Sequence, residues 1–234
     1  RLKGYRAVTS LLRPVAPALL SYRAGQGKED AARRNERFGI ASVSRPDGQM
    51  VWVHAASVGE TNAVLPLISR LLRDRPQLNF VLTTGTVTSA RLAADRLPAQ
   101  ARHQYIPLDA VQYARRFLDH WRPDLVLFTE SEIWPNLILE TAARDIPMVL
   151  VNGRMSPRSF KRWSKNPGVA HPLFGRFACI LAQNEILARN FRALGAPHAV
   201  ISGNLKIDSP PPPADAQKLA QLQQALNGRT VFVG

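Results

Sequence analysis

Cysteine is almost missing from this sequence: Cys179 is the only one in 234 residues, inside the apolar run Phe177–Leu181. A disulfide framework is excluded, nothing argues for an oxidising compartment, and a buried thiol is the expected state. Metal-type spacing is missing too. His54, His103, His120, His171 and His198 are scattered with no pair one helical turn apart, so no metal and no cofactor are expected. Long apolar runs are absent. Arg13, Pro14 and Pro17 interrupt the first 23 residues, well short of the roughly 20 apolar residues of a spanning helix. Arg13 also breaks any secretory apolar region. No P-loop and no dinucleotide-type glycine fingerprint occurs. Ala55 stands where a nucleophile elbow needs glycine, which argues against a serine hydrolase. Aromatics are sparse at 7%, with no stacking platform or recognition-helix motif, so nucleic acid is not the expected partner. Acids are sparse as well: 17 Asp and Glu face 31 Lys and Arg, leaving a net charge of +14.

That charge should attract anions, whether nucleic acid, anionic lipid or phosphorylated small molecules. The 45% apolar content supports a sizeable core. Residues 1–40 read as a basic, membrane-associated segment, with Arg1, Lys3, Arg6, Arg13 and Arg23 around short apolar stretches. An ordinary helix packed on the domain is the alternative. Residues 41–209 alternate short apolar strands with helices: strands near 51–55, 80–84, 104–106, 125–128, 148–151, 179–182 and 199–201, and helices over 61–72, 89–97, 111–121, 133–143 and 185–194. This pattern predicts a parallel sheet covered on both faces, with ligands outside the carboxyl ends of the strands. Ser209–Pro213 reads as a stiff spacer opening a third segment, 210–234. A helix over 214–226 and a strand from Thr230 should begin a further domain, cut short at Gly234.

The strand ends carry the chemistry. The first runs into His54–Glu60, where Ser57 and Gly59 suit a tight turn and helix cap and Glu60 falls in the first helical turn. Glu60 is a candidate general base, although an acid there also simply stabilises its helix. The second ends in Thr83–Ser89, a hydroxyl-rich turn in which Thr86 suits an anion or a plain cap. Another ends in Thr129–Asn136, which brings Glu130, Glu132, Trp134 and Asn136 to one junction. From Asn152 to Arg192 there are eight Lys and Arg and one acid. Arg154 and Arg158 there could grip phosphate or carboxylate with paired donors. Lys206 follows the last strand, placed to stabilise a departing phosphate or to be a surface lysine.

Seven segments in order, Arg34–Gly39, His54–Glu60, Thr83–Ser89, Thr129–Asn136, Asn152–Ser159, Ala182–Gln183 with Arg192–Ala196, and Gly203–Asp208, resemble the Kdo transferases of lipopolysaccharide synthesis. The resemblance implies a glycosyltransferase B type α/β fold whose N-terminal domain binds the lipid A precursor (lipid IVA) and whose C-terminal domain binds CMP-Kdo. It implies inverting transfer of Kdo without a metal, at the cytoplasmic face of the inner membrane. It makes Glu60 the base and puts Glu130 and Lys206 at transition-state-stabilising positions. Arg37, Ser57, Gly59, Thr86, Glu132, Asn136, Arg154 and Arg158 are the candidate acceptor-binding residues. On this reading the 234 residues bind acceptor without turning over. Two other readings stay open: a different nucleotide-sugar transferase of the same fold, and a non-catalytic module binding anionic membrane or nucleic acid.

Overall fold

The computed structural model describes residues 1–208 and 215–231. The expected proline spacer lies outside the described residues, as does the expected last strand beyond Val231.

Seven strands form one parallel sheet: β1 (Met50–His54), β2 (Asn79–Thr84), β3 (Ala101–Tyr105), β4 (Leu125–Thr129), β5 (Met148–Gly153), β6 (Cys179–Ala182) and β7 (Ala199–Ile201). Their spatial order is β3-β2-β1-β4-β5-β6-β7. The order reverses beside β1, so the crevice between the carboxyl ends of β1 and β4 is the topological switch point.

Alternation along the central strand divides the core. Val51 and Val53 face one side, where they meet Phe80, Leu82 and the Val64, Ile68 and Leu72 stripe of α3 (Val58–Asp74), with Ala93 of α4 (Val87–Arg96). Met50 and Trp52 face the other side. There they meet Phe117 and Trp121 of α5 (Val111–Trp121), Leu137 and Ile138 of α6 (Pro135–Ala142), and, further along the sheet, Phe174 of α8 (Pro167–Phe174) and Phe191 of α9 (Glu185–Ala193). The largest buried side chains on this side are aromatic, and burial contributes roughly 25 cal/mol per Å² removed from water. Trp52 packs 4.7 Å from Phe117 and 5.2 Å from Phe128, centroid to centroid.

The structure moves several expected boundaries. The strand expected at 104–106 is β3 at Ala101–Tyr105, because the polar Arg102 and His103 still pair with β2. Helix α3 starts earlier than expected, at Val58, since Ser57 caps it, and it runs through Pro66. Helix α6 starts at Pro135, whose fixed φ suits a first helical position. Two helices were not anticipated. Ser156 caps α7 (Pro157–Ser164), and α8 begins at Pro167.

The N-terminal segment is two short helices, α1 (Leu2–Leu11) and α2 (Ala16–Gly25), separated by a 3-10 turn at Arg13–Val15. Helix α1 is fixed to the domain by polar contacts. Tyr5 Oη donates to Asp109 at 2.8 Å, the Asn136 amide donates to Thr9 Oγ1 at 3.0 Å, and Arg6 pairs with buried Glu140. Apolar side chains of α1 (Val8, Leu11), of the turn (Leu12, Val15) and of α2 (Leu19, Tyr22) stand exposed. Among the described residues no helix is long and apolar enough to cross a membrane.

The Glu-Arg-Phe-Gly stretch has a structural explanation. Gly39 has φ +76°, and a Cβ there would fall 2.2 Å from the Tyr113 carbonyl oxygen, so no other residue fits. Glu36 is fully buried and accepts from the Tyr105 amide at 2.7 Å. Helix α10 (Ala216–Leu226), capped by Asp215, buries none of its residues.

Candidate functional site

Glu60 lies at the switch point, 8% exposed. Its carboxylate faces three donors: Ser57 Oγ at 2.8 Å, the Ala56 amide at 3.0 Å and Thr129 Oγ1 at 2.7 Å. The Thr129 hydroxyl is also 2.8 Å from the His54 carbonyl, so its one proton serves either acceptor. A carboxylate has about four lone-pair positions. Ser57 and the Ala56 amide, with Thr129 when its proton turns this way, therefore orient Glu60 and leave at least one position open. Ser57 is the cap of α3, accepting from the Glu60 amide at 3.3 Å, while the Glu60 carboxylate reaches back to the Ala56 amide, a variant of the capping box that also aims a carboxylate.

Glu130 follows β4 with φ +50°, a left-handed conformation unusual for glutamate. Its amide donates to the Val151 carbonyl and its carbonyl accepts from the Arg154 amide, so the bend is held between β4 and the turn after β5. Lys206 Nζ is 2.8 Å from Glu130 Oε1, and Arg154 Nε is 3.6 Å from Oε2. Lys206 Nζ also approaches to 3.9 Å from where a Gly59 Cβ would stand. The lysine thus lies beside the first turn of α3 while it pairs with Glu130. Residues 57, 59, 60, 130, 154 and 206 all follow the carboxyl ends of parallel strands, on the cleft side of the sheet, and bring there an oriented carboxylate and a partly exposed ammonium-carboxylate pair.

Glu132 faces β1. Its Oε2 accepts from Trp134 Nε1 at 2.9 Å and lies 3.4 Å from Nε2 of fully buried His54, an approach too poorly aligned to count as a hydrogen bond. Burial pushes the Glu132 carboxyl up, but His54 and the Trp134 donor outweigh it and hold the group below the usual carboxylate value. The ring of His54 is anchored through Nδ1 on Thr83, at 3.0 Å from Oγ1 and 3.1 Å from the carbonyl.

The remaining candidates are not in this cleft. The Arg37 guanidinium is buried and spent on Glu29 and on the Ile106 and Gly85 carbonyls, so it is not the exposed phosphate ligand expected of it. Asn136 is fully buried, bridging α1 and the turn before α5 through Thr9 Oγ1 and the Asp109 carbonyl. Thr86 caps α4, accepting from the Ser89 amide at 3.1 Å. Arg158 stands exposed on α7 with Lys161, Arg162 and Lys165, a basic face beyond Arg154. Among the described residues no three His, Cys, Asp or Glu side chains converge on a metal position.

Sequence reasoning gave no role to Thr129, Asn152 or Gln183. Asn152 has φ +54° and accepts through Oδ1 from Gln183 Nε2 at 3.0 Å and from the Leu205 amide at 3.1 Å. All three are at strand ends within the matching segments. The strand-end rule points to them, but nothing in their types separates positioning from turn-making.

Comparisons with known proteins give the family and the fold. A family model described as 3-deoxy-D-manno-octulosonic-acid transferase (kdotransferase) matches residues 32–209. The chain is 34% identical over 232 residues to a 3-deoxy-D-manno-octulosonic acid transferase of Rickettsia bellii, covering 99% of this chain and 55% of that protein. It is 35% identical over 192 residues to one from Haemophilus influenzae, covering 81% and 44%. The chain thus spans about half the length of the curated relatives it matches. Among solved structures, a Neisseria meningitidis UDP-GlcNAc 2-epimerase bound to UDP-GlcNAc superposes with TM-score 0.50 at 13% identity, over 78% of this chain and 51% of that one. A Staphylococcus aureus MnaA structure with UDP gives 0.51 at 11% identity, over 77% and 52%. These two speak to fold alone, and they bear out the expected α/β architecture of glycosyltransferase B type. With its central match over 32–209 and relatives above 30% identity, the chain belongs to the 3-deoxy-D-manno-octulosonic acid (Kdo) transferase family.

Proposed function

We propose that this chain is the acceptor-binding half of an enzyme that transfers Kdo from CMP-Kdo to the lipid A precursor, with inversion and without a metal. Glu60 takes the proton of the acceptor hydroxyl as that oxygen attacks the anomeric carbon of Kdo. The bond from that carbon to the CMP phosphate oxygen breaks, and CMP departs with the electron pair. Lys206, held by Glu130, offsets the charge that develops on the departing side.

The observation that carries this reading is the company Glu60 keeps. An acid that only stabilised its helix would need neither the Thr129 hydroxyl from β4 nor a lysine from beyond β7 at its turn. Further support comes from charge. The exposed cations of α7 lead outward from Arg154 at the cleft, matching a phosphorylated acceptor. Exposed leucines and valines of α1 and α2 beside arginines suit attachment to an anionic bilayer, for which we propose the cytoplasmic face of the inner membrane.

The test uses the full-length gene product, CMP-Kdo generated in situ and lipid IVA, with transfer followed by mass spectrometry. Wild type should add Kdo, and Glu60→Gln, folded, should lose about 10²–10⁴-fold in rate. A near-normal Glu60→Gln would move the base elsewhere. No transfer by wild type would end the proposal.

A further inference from the structure

Lys206 and Glu130 lie far apart in the fold. Glu130 follows β4 and Lys206 follows β7, with β5 and β6 between them in the sheet. Holding two flexible side chains in one 2.8 Å contact costs conformational freedom, a cost that tying the turns that carry them reduces. The tie is the Asn152 side chain at the end of β5. Its Oδ1 accepts from the Leu205 amide, one residue before Lys206, and from Gln183 Nε2, just past β6. A backbone amide can only donate, so the oxygen of Asn152 must face Leu205, and its NH2 then falls toward Glu130, 3.5 Å from Oε1. One amide therefore touches the turns after β4, β6 and β7.

The backbone of Asn152 argues that the amide itself is wanted. With φ +54°, the position would accept glycine with less strain. A turn alone would be served by that smaller residue. The side chain is 98% removed from solvent, with its polar atoms spent on the cleft's framework.

We propose that Asn152, supported by Gln183, is a positioning residue that sets the Lys206 ammonium against Glu130. Its catalytic consequence rests on the transfer reaction proposed above; its geometric consequence does not.

Two readouts on the full-length gene product test this. The first is competitive acetylation of lysines, read by peptide mass spectrometry. Asn152→Gly should raise labelling of Lys206 about three-fold, as the ion pair loosens, while Lys161 and Lys165 on α7 stay unchanged. The second is steady-state transfer. Asn152→Gly should lower kcat about ten-fold with little change in acceptor KM, while its melting midpoint stays within a few degrees of wild type, since glycine takes the left-handed conformation freely. Asn152→Asp guards against a folding defect. It keeps an oxygen for Leu205 and Gln183 but replaces the NH2 with a charge that repels Glu130 and competes for Lys206, so kcat should again fall at least about ten-fold. Wild-type labelling and wild-type kcat in Asn152→Gly would overturn the proposal, as would normal kcat in Asn152→Asp. If wild type transfers no Kdo, the functional reading fails, and the labelling arm alone still decides whether Asn152 sets the pair.

Discussion

His103 sits where a proton is costly. Burial, then the nearby Arg33 and Arg37 guanidinium groups, pull its pKa from 6.5 down to about 3. The unfolded chain therefore binds a proton below pH 6.5 that the folded chain refuses. The contribution is fully present above that pH and is lost as pH falls from 6.5 toward 3. One proton is worth about 1.4 kcal/mol per pH unit, so roughly 2 kcal/mol should vanish between pH 7 and 5. His103→Gln, which keeps a polar group beside Thr84, should flatten this part of the stability curve in urea titrations at the two pH values. An equal slope in wild type and variant would refute the assignment. Glu60, Glu130 and Lys206 were legible in the sequence because each follows a recognisable strand, where parallel sheets put their ligands. The fate of Arg37 was not legible. Its partner Glu29 and the two carbonyls that consume its donors come together only in the folded chain.

At the level of elements, Asp109 is a hinge between secondary structures. Its carboxylate accepts from the Asn136 and Leu137 amides at the start of α6 and from Tyr5 of α1. Helix α1 makes most of its polar attachment through this point and its neighbours. Asp109→Ala should cost about 1–3 kcal/mol by removing a cap and stranding buried donors. Helix α1 should then be cut faster by protease in native buffer, a change that limited proteolysis with mass mapping would reveal. Unchanged cleavage would mean that the Arg6–Glu140 pair and the Asn136–Thr9 hydrogen bond suffice to hold the helix. The strands and most helices were legible from apolar periodicity. Helices α7 and α8 were not. Helix α7 is only eight residues long and buries none of them completely; Phe160 and Trp163 alone pack against the core, so its apolar stripe is too short to read from periodicity. Its start is marked by the Ser156 cap and Pro157 at the first turn, and Trp163 docks it 5.4 Å from Phe174, ring centroid to centroid. The polar half of β3 was missed for a related reason: strand pairing with β2, which periodicity does not report, defines it.

For the whole molecule, the net charge of +14 and the exposed apolar side chains of α1 and α2 make a joint prediction. The protein should sediment with vesicles rich in phosphatidylglycerol and much less with phosphatidylcholine vesicles. Raising salt should weaken binding without abolishing it, because the apolar part is not screened. Replacing Leu11, Leu12 and Val15 by serine should remove the salt-resistant remainder. Loss of all binding at moderate salt in wild type would assign attraction to charge alone and leave the exposed leucines without a role.

The order of the strands has a bearing on how the protein is made. β2 pairs with β1, β3 with β2, β4 with β1, and β5, β6 and β7 each with the strand just before it in sequence. Every strand leaving the ribosome therefore finds its neighbour already synthesised, and the sheet can grow outward without waiting for later chain. The cleft is the exception to that ease. Glu60 has its Thr129 donor once β4 is in place, whereas Glu130 must wait for the turn after β7 to bring its lysine. Pairing of the sheet can thus keep pace with synthesis, whereas the Glu130–Lys206 pair cannot form before the turn after β7 has been made.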